Sequence, residues 1–441
     1  MINFYDIAYG LGVAASAPYW AIKPSARKKV LAAFSQRMGD VAHRESDQPA
    51  IMIHAVSLGE INATRALVDA LSRERPDLHI IISTTTQTGY DRGQQLYGSS
   101  SNVTLMRFPL DFTAAVTRVL DALRPNLVVL MELEVWPNFM KLCRRRHIPV
   151  VLANGRLTSS SFKKYKLVKP ISSIMFGRLA KVCAQDETYA QRFEQLGVSR
   201  DRIIVTGTMK FDTAQVANQV DGDRALGWVL GLSKGDEPIW VCGSTGPGEE
   251  EIILREYRQL LATFRRLRLV IVPRKPERFN EVADLINLSK FPCHRRSQNQ
   301  PPALDAAIPA VILGDTMGEL RKFYSLADVV FIGRTLVDLG PRQHGSDMIE
   351  PAALAKPIIV GPYTANFDHA MRQLRSADAV LEVRDGPSLA ESVRILISTP
   401  AEATAMGKRA QQVVRNEQGA TLRHVQIILN ELMACQTPLT G

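Results

Sequence analysis

A glutamate stands on a predicted turn between a strand and a helix. The segment IMIHAV (51–56) has the pattern of a buried strand, a Ser-Leu-Gly turn follows it, and Glu60 opens a helical pattern that runs to Arg75. A glutamate in the first turn of a helix complements the helix dipole. The carboxyl ends of parallel strands are also where open α/β sheets bind ligands. Glu60 is therefore either a helix cap or a catalytic residue, and the local sequence leaves both interpretations open.

Other charged side chains also follow predicted strands in the first half of the chain. LVVLMELEVWPN (127–138) places Glu132 and Glu134 at the end of a strand, and Arg156 and Lys210 each come just after another. A carboxylate base near cations is what transfer to a hydroxyl of an anionic acceptor needs. A salt bridge at a strand end explains any one of these residues equally well, but it explains the four together less well.

The second half contains residue types that bind a nucleotide. A glycine-rich turn (243–248) opens a helix, where backbone N–H groups can approach a polar ligand. The acidic run 249–251 would repel a phosphate placed directly there, so it meets hydroxyls or caps the helix. Arg274 and Lys275 follow a strand as a candidate phosphate clamp. Glu350, at the head of a helix, has the position of a carboxylate that accepts ribose hydroxyls.

The elements that must position these residues alternate between strand and helix along the chain. Such alternation predicts parallel sheets built from βαβ units. We expect an α/β protein with two Rossmann-like domains facing across a cleft: 23–212, a linker 213–235, and 236–441 with a terminal helix. No G-x-G-x-x-G follows the first strand and no P-loop is present, which disfavours a dehydrogenase. Asp221-Gly222-Asp223 lies in the linker, so no metal site is predicted.

The net charge of the chain and its N-terminal segment indicate what kind of partner the protein binds. The net charge of +10 favours an anionic partner, which could be a nucleic acid, a phospholipid or a phosphorylated substrate. Residues 1–22 are apolar apart from Asp6, end near Tyr19-Trp20 and precede a basic run (23–29). This pattern is typical of a membrane anchor with the rest of the chain in the cytoplasm, either a short tilted span or a helix in the interface. A buried N-terminal helix is the alternative.

Seven segments, taken in order, resemble those of one enzyme family, the 3-deoxy-D-manno-octulosonic acid (Kdo) transferases of lipopolysaccharide biosynthesis. The segments are HAVSLGE (54–60), MELEVWPN (131–138), TGTMKFD (206–212), STGPGEEE (244–251), PRKPERF (273–279), GDTMGEL (314–320) and MIEPAALAKPIIVGPYTANF (348–367). The resemblance implies a GT-B glycosyltransferase that moves Kdo from CMP-Kdo to a hydroxyl of the lipid A precursor (lipid IVA). It implies inversion of the anomeric centre, no metal or cofactor, no nucleic-acid partner, and a place on the anionic cytoplasmic face of the inner membrane.

The resemblance also implies roles for individual residues. Glu60 would be the general base, and Glu132 and Lys210 would stabilise the transition state. The residues that would hold CMP are Pro273, Arg274, Met317, Gly318, Glu319, Asp347, Met348, Ile349 and Glu350.

The chain departs from the family pattern on the donor side. The family's Gly-Gly-Ser is Gly333-Arg334-Thr335 here, Ser346 and Asp347 replace a His-Asn pair, and two further histidines are replaced by Gly246 and Lys275. Two alternatives stay open: a sugar-nucleotide 2-epimerase of the same fold, and a membrane-surface binding protein that has lost donor binding.

Overall fold

The computed structural model describes residues 3–22, 33–232, 237–299, 308–340 and 343–436, with the backbone alone for 16–22 and 436. The predicted basic run 23–29 lies outside these residues. The chain divides into two compact units, Met1–Thr213 with Gln418–Gly441, and Ala214–Glu417.

The first unit contains a seven-stranded parallel sheet in the order β3-β2-β1-β4-β5-β6-β7. The strands are β1 Ala50–His54, β2 His79–Thr84, β3 Val103–Arg107, β4 Leu127–Met131, β5 Val150–Gly155, β6 Lys181–Ala184 and β7 Ile203–Val205. The helices are α1 Phe4–Ile22, α2 Phe34–Arg37, α3 Leu58–Glu74, α4 Gln87–Tyr97, α5 Thr113–Leu123, α6 Pro137–Arg145, α7 Ser159–Leu167, α8 Lys169–Phe176, α9 Glu187–Gln195 and α10 Lys210–Thr213, with a 3-10 turn at Arg200–Arg202.

The second unit contains another seven-stranded parallel sheet, in the order β10-β11-β9-β8-β12-β13-β14. Its strands are β8 Ile239–Thr245, β9 Arg268–Pro273, β10 Cys293–Arg295, β11 Val311–Leu313, β12 Val329–Ile332, β13 Ile358–Val360 and β14 Leu381–Glu382. Its helices are α11 Asp223–Val229, α12 Glu249–Leu261, α13 Phe279–Leu288, α14 Leu320–Leu326, α15 Ile349–Ala353, α16 Asp368–Ser376, α17 Gly386–Ser398 and α18 Pro400–Glu417, with 3-10 turns at Pro276–Arg278, Arg296–Gln298 and Ala365–Phe367.

The central strands are buried along their whole length, which explains their continuous apolar runs. All residues of β1, β4, β5, β8 and β9 are buried. Parallel sheets are covered by helices on both faces, so both sets of alternating side chains must be apolar. The predicted α/β architecture with two parallel sheets is confirmed.

The last helix, α19 (Ala420–Gln436), belongs to the first unit. The expectation that the terminal helix is part of a domain 236–441 is therefore wrong. Val425, Ile428 and Leu432 are buried in the core that contains Ile51 and Val129. The spacing of these side chains predicts an apolar helix face, but the same face could pack on either sheet, so the sequence did not determine which one.

The first helix is attached to the first unit, against the expectation of a separate anchor. The carboxylate of Asp6 accepts hydrogen bonds from the Thr113 backbone N–H at 2.7 Å and from the Asn138 side chain at 2.8 Å. The Tyr9 ring packs edge-on against Phe112 and Trp136. The one charged residue of the apolar segment thus binds the start of α5 and of α6.

None of the helices in the described ranges has both the length and the apolar character needed to cross a membrane.

Candidate active site

In each unit some of the predicted site residues lie at the point where the strand order of the sheet reverses, and others follow strands further from it. In the first unit the reversal falls between β1 and β4, whose carboxyl ends lead to Glu60 and Glu132. In the second unit it falls between β8 and β12, which lead to the glycine-rich turn 243–248 and to Arg334. Open α/β sheets bind ligands at such switch points, outside the carboxyl ends of the strands.

Glu60 caps its own helix. Ser57 is the N-cap of α3, and its hydroxyl oxygen accepts the Glu60 N–H at 3.3 Å. The Glu60 carboxylate folds back to accept the Ser57 hydroxyl at 2.8 Å and the Val56 N–H at 2.9 Å. These reciprocal contacts resemble a capping box. They hold the carboxylate in one orientation at the end of β1.

The same carboxyl group has the proton affinity of a base that works near neutral pH. Burial raises the pKa of Glu60 to about 7, and the charge of Glu132 adds to the rise, with a smaller effect from Glu134. The hydrogen bonds from Val56 and Ser57 act in the opposite direction. General bases are most effective when their pKa lies near the working pH. Glu60 therefore combines the two interpretations, since it is a cap whose carboxyl group can also take up a proton.

Glu132 is held by the neighbouring strand end. Its φ of 59° lies in the left-handed region, which costs about 1–3 kcal/mol for a residue other than glycine. The Glu132 N–H donates to the Ala153 carbonyl at 2.9 Å, and the Glu132 carbonyl accepts the Arg156 N–H at 3.2 Å. The segment that follows β5 thus fixes the backbone of Glu132 at the end of β4.

The structure brings the carboxylates of the first unit together and places the cations at the same sheet edge. Glu60, Glu132 and Glu134 lie close enough for their charges to interact. Arg156 follows β5, and Lys210 begins α10 after β7. α10 contacts α3, the helix that carries Glu60.

In the second unit Glu249, the first residue of the acidic run, binds the backbone of two loops. The Glu249 carboxylate accepts backbone N–H groups from Gly246 at 2.8 Å, Arg334 at 2.6 Å, and Thr335 and Leu336 at 2.9 Å each. Four backbone donors occupy both carboxylate oxygens. Glu249 therefore joins the turn after β8 to the turn after β12 and does not cap α12, whose N-cap residue is Gly248.

Two arginines lie near each other at this switch point. Burial lowers the pKa of Arg334, and the charge of Arg274 lowers it further. The Nε atom of Arg334 is buried and has no hydrogen-bond partner among the described residues. A Cβ atom on Gly246 would lie 2.9 Å from the Arg334 Cγ atom, so the missing side chain at 246 leaves the room that Arg334 fills. Two neighbouring guanidinium groups make an electropositive site for an anion.

Two carboxyl groups, those of Asp347 and Glu350, lie near Arg274. Burial raises the pKa of Glu350 to about 7, and the charge of Asp347 adds to the rise, while Arg321 and Arg274 lower it. The Asp347 carboxylate accepts the Ile349 N–H at 2.8 Å at the start of α15. The structure thus brings Arg274 close to Asp347 and Glu350, which lie far from it in the sequence.

The other predicted donor-side residues differ in what they can offer a ligand. The Glu319 carboxylate already pairs with Arg296 at 3.0 Å, so it braces the turn after β11. Met317 is 69% exposed beside Gly318, whose φ is +84°. The buried members can offer only backbone groups to a ligand; these are Pro273, Met348 and Ile349.

Several residues at these sites were not predicted to have such a role. The sequence points to Arg334 only through its departure from the family pattern, and Arg321 is not among the predicted residues. Asn154 (φ 53°) and His424 contact the segments around Glu132 and Lys210. A polar residue directly after a buried strand is the sequence signal for Asn154; no local signal identifies His424.

Comparison with known proteins identifies the family. A family model described as 3-deoxy-D-manno-octulosonic-acid transferase matches residues 32–213. A 3-deoxy-D-manno-octulosonic acid transferase of Haemophilus influenzae is 36% identical over 382 residues, which cover 86% of this chain and 86% of that one. The chain belongs to the Kdo transferase family. Kdo transferases are glycosyltransferases. Among the residues assigned by resemblance, Glu60 and Glu132 lie at the switch point of the first unit of this family member, and Asp347 and Glu350 follow β12 at the switch point of the second.

Solved structures with low sequence identity show the fold of this Kdo transferase family member. A glycosyltransferase of Rickettsia africae is 15% identical, covers 88% of this chain and 99% of its own, and gives a TM-score of 0.57. A UDP-GlcNAc 2-epimerase of Neisseria meningitidis is 14% identical, covers 87% of this chain and 100% of its own, and gives a TM-score of 0.58. The two-sheet architecture is that of GT-B glycosyltransferases, and epimerases share it.

The described residues of this family member contain no group of three or more His, Cys, Asp or Glu side chains that could hold a metal ion. In the predicted linker, Asp223 accepts hydrogen bonds from the Val220 N–H and the Ser325 hydroxyl.

Proposed function

We propose that this protein transfers Kdo from CMP-Kdo to a hydroxyl of the lipid A precursor lipid IVA. Membership of the Kdo transferase family supports the reaction class. The observation that carries the mechanism is the half-buried Glu60 carboxyl group, whose pKa of about 7 suits a base near neutral pH.

In the proposed reaction the acceptor hydroxyl attacks the anomeric carbon of Kdo. The bond from that carbon to the phosphate oxygen breaks, CMP leaves with the bonding electron pair, and Glu60 takes the hydroxyl proton. Attack from the face opposite CMP inverts the anomeric centre. Lys210 carries a positive charge that stabilises developing negative charge, and Glu132 raises the basicity of Glu60.

The second unit is proposed to bind the donor. CMP-Kdo carries a phosphate and a carboxylate, and Arg274 and Arg334 supply two adjacent positive charges for them. Glu350 is proposed to accept hydroxyls of the ribose. We propose that the reaction needs no metal, since arginines can neutralise the leaving phosphate. Unchanged activity in excess EDTA is the expected result.

We also propose that the protein works at the cytoplasmic face of the inner membrane. Two exposed apolar surfaces of the first unit support this. One is on α1, where Phe4, Ile7 and Leu11 are exposed. The other, which we call the α7–α8 surface, combines exposed apolar and basic side chains: Leu167, Val168, Ile171, Ile174, Lys163, Lys164, Lys166 and Lys169. Apolar side chains ringed by lysines bind anionic lipid surfaces.

Binding to vesicles tests the membrane proposal. The triple variant Leu167→Ser, Ile171→Ser, Ile174→Ser should bind vesicles of anionic phospholipid more weakly than the wild type. A matched control with Leu288→Ser, Ile308→Ser and Ile395→Ser changes exposed apolar residues of the second unit and should not. Equal binding by wild type and triple variant would exclude this surface.

An assay with purified protein in detergent tests the activity. CMP-Kdo and lipid IVA should give CMP and a Kdo-modified lipid in equal amounts, and both should form ~10²–10⁴-fold more slowly with Glu60→Gln. CMP release without a lipid product would contradict transfer. Epimerised sugar nucleotide as the product would favour the epimerase alternative, and no turnover with intact lipid binding would favour a binding protein.

A further inference from the structure

The terminal helix contacts the segments that carry Glu132 and Lys210. His424 of α19 is fully buried, and its ring Nε2 accepts the Asn154 N–H at 2.9 Å. The Nδ1–H group donates to the Ala420 carbonyl at 2.7 Å. Burial lowers the pKa of His424 to about 4, so the ring is neutral at physiological pH. Because the proton is on Nδ1, the Nε2 atom carries none and can serve as an acceptor.

Asn154 connects His424 to both functional segments. Its φ of 53° is left-handed, and its side-chain oxygen accepts the N–H of Met209, the residue before Lys210, at 3.3 Å. Ala153 and Arg156, which lie on either side of it in the same segment, hold the backbone of Glu132. A rotation of the Asn154 peptide would therefore move Glu132 and the segment before Lys210 together.

The start of α19 makes further contacts with the segment of Lys210. Asp212, which belongs to α10 like Lys210, accepts the Gly419 N–H at 2.6 Å. Arg423 donates from Nε to the Thr206 carbonyl at 2.9 Å, at the end of β7. The loop between β7 and α10 is thus held at both ends by α19.

We propose that His424 is a positioning residue for sugar transfer: through Asn154 it fixes the backbone of Glu132 and the segment before Lys210. The inference rests on the proposed function, because it assigns those two residues to the reaction. A displacement of catalytic groups by about 1 Å can reduce turnover ~100-fold. A buried histidine that only fills the core would instead affect stability and leave turnover unchanged.

Matched variants separate these two roles. His424→Leu keeps the bulk but removes the acceptor, whereas His424→Gln keeps an acceptor oxygen at a similar reach. We expect His424→Leu to lower kcat ~10–100-fold with unchanged KM for CMP-Kdo and unchanged CMP affinity, and His424→Gln to recover most of the loss. Leu422→Ala, an exposed change in the same helix, should behave as the wild type.

A second variant applies if His424→Leu does not fold. Asn154→Gly can adopt the left-handed conformation without strain but leaves the Met209 N–H without its acceptor. It should fold and should also lower kcat at unchanged KM. Wild-type kcat in a folded His424→Leu or Asn154→Gly protein, whatever the melting temperature, would overturn the proposal.

Hydrogen exchange gives a readout that does not depend on turnover. His424→Leu should speed amide exchange in peptides that cover 131–135, 153–157 and 206–212, and leave the second unit unchanged. If wild-type protein transfers no Kdo but these peptides respond, the proposed function fails and the positioning contact stands. If wild-type protein is active and these peptides do not respond, the positioning role of His424 fails by itself.

Discussion

Glu132 lies close enough to Glu60 for its charge to raise the pKa of the Glu60 carboxyl group, which burial and this charge together bring to about 7. A like charge nearby disfavours ionisation of a carboxyl group. The proton that Glu60 takes from an acceptor hydroxyl would therefore also relieve repulsion with Glu132. This relationship accounts for a second carboxylate beside the proposed base.

Substitution of Glu60 by glutamine tests its role as a base. The amide keeps the size of the side chain and can still accept the Val56 N–H, but it cannot take up the hydroxyl proton. We expect Kdo transfer to fall ~10²–10⁴-fold while CMP affinity, measured by calorimetry, stays the same. Near-normal turnover in this variant would leave Glu60 with the capping role alone.

The pH dependence of kcat/KM should report the same group. Since Glu60 must be ionised to act as a base, activity should rise with pH with a midpoint near its pKa of about 7. Glu132→Gln removes a negative charge that opposes ionisation, so the midpoint should move to lower pH. An unmoved midpoint in Glu132→Gln would show that the two carboxylates are not coupled.

The stability of the folded protein should also depend on Glu60. Its pKa is about 7 in the folded state against an ordinary value of 4.5, so the folded state holds the proton more tightly than the unfolded state. Stability is then lost as the pH rises from 4.5 to 7, by up to ~3 kcal/mol for this group. Glu60→Gln lacks this loss. Chemical denaturation between pH 4.5 and 7 should show the free energy of unfolding of Glu60→Gln rising relative to that of the wild type. A difference that stays constant over this range would refute the raised pKa.

Arg274 should contribute to nucleotide binding. Arg274→Ala removes a positive charge next to Arg334. It should weaken CMP binding by ~1.5–3 kcal/mol, measured by calorimetry. Arg334→Ala should also weaken CMP binding. Arg266→Ala is the control, because Arg266 is an exposed arginine of the same unit that pairs with Glu237. Equal CMP affinity for all three variants and the wild type would place the nucleotide elsewhere.

The terminal helix should stabilise the first unit. Ile428→Ala removes a fully buried side chain from its core and should lower the free energy of unfolding by ~2–5 kcal/mol. Leu422→Ala changes a side chain that is 57% exposed and should stay within ~0.5 kcal/mol of the wild type. Hydrogen exchange should locate the effect of Ile428→Ala in β1–β7. A response in β8–β14 instead would contradict the assignment of α19 to the first unit.

The sequence by itself determined the class of fold and the strand ends that carry the site. Strands of a parallel sheet are buried on both faces, so IMIHAV and LVVLM are recognisable from their continuous apolar residues. The ends of those apolar runs identify Glu60 and Glu132 as candidate site residues. The family motifs add Arg274 and Glu350 to the candidates.

The tertiary structure decided what local patterns cannot encode. The apolar face of α19 indicates that the helix is buried. It does not indicate that Val425 and Ile428 pack in the core of the first unit. The pKa of Glu60 depends on desolvation and on the charge of Glu132, which is remote in sequence. The contact between His424 and Asn154 joins residues 270 positions apart. Burial, charge coupling and long-range hydrogen bonds depend on distances in space, and those distances exist only once the chain has folded.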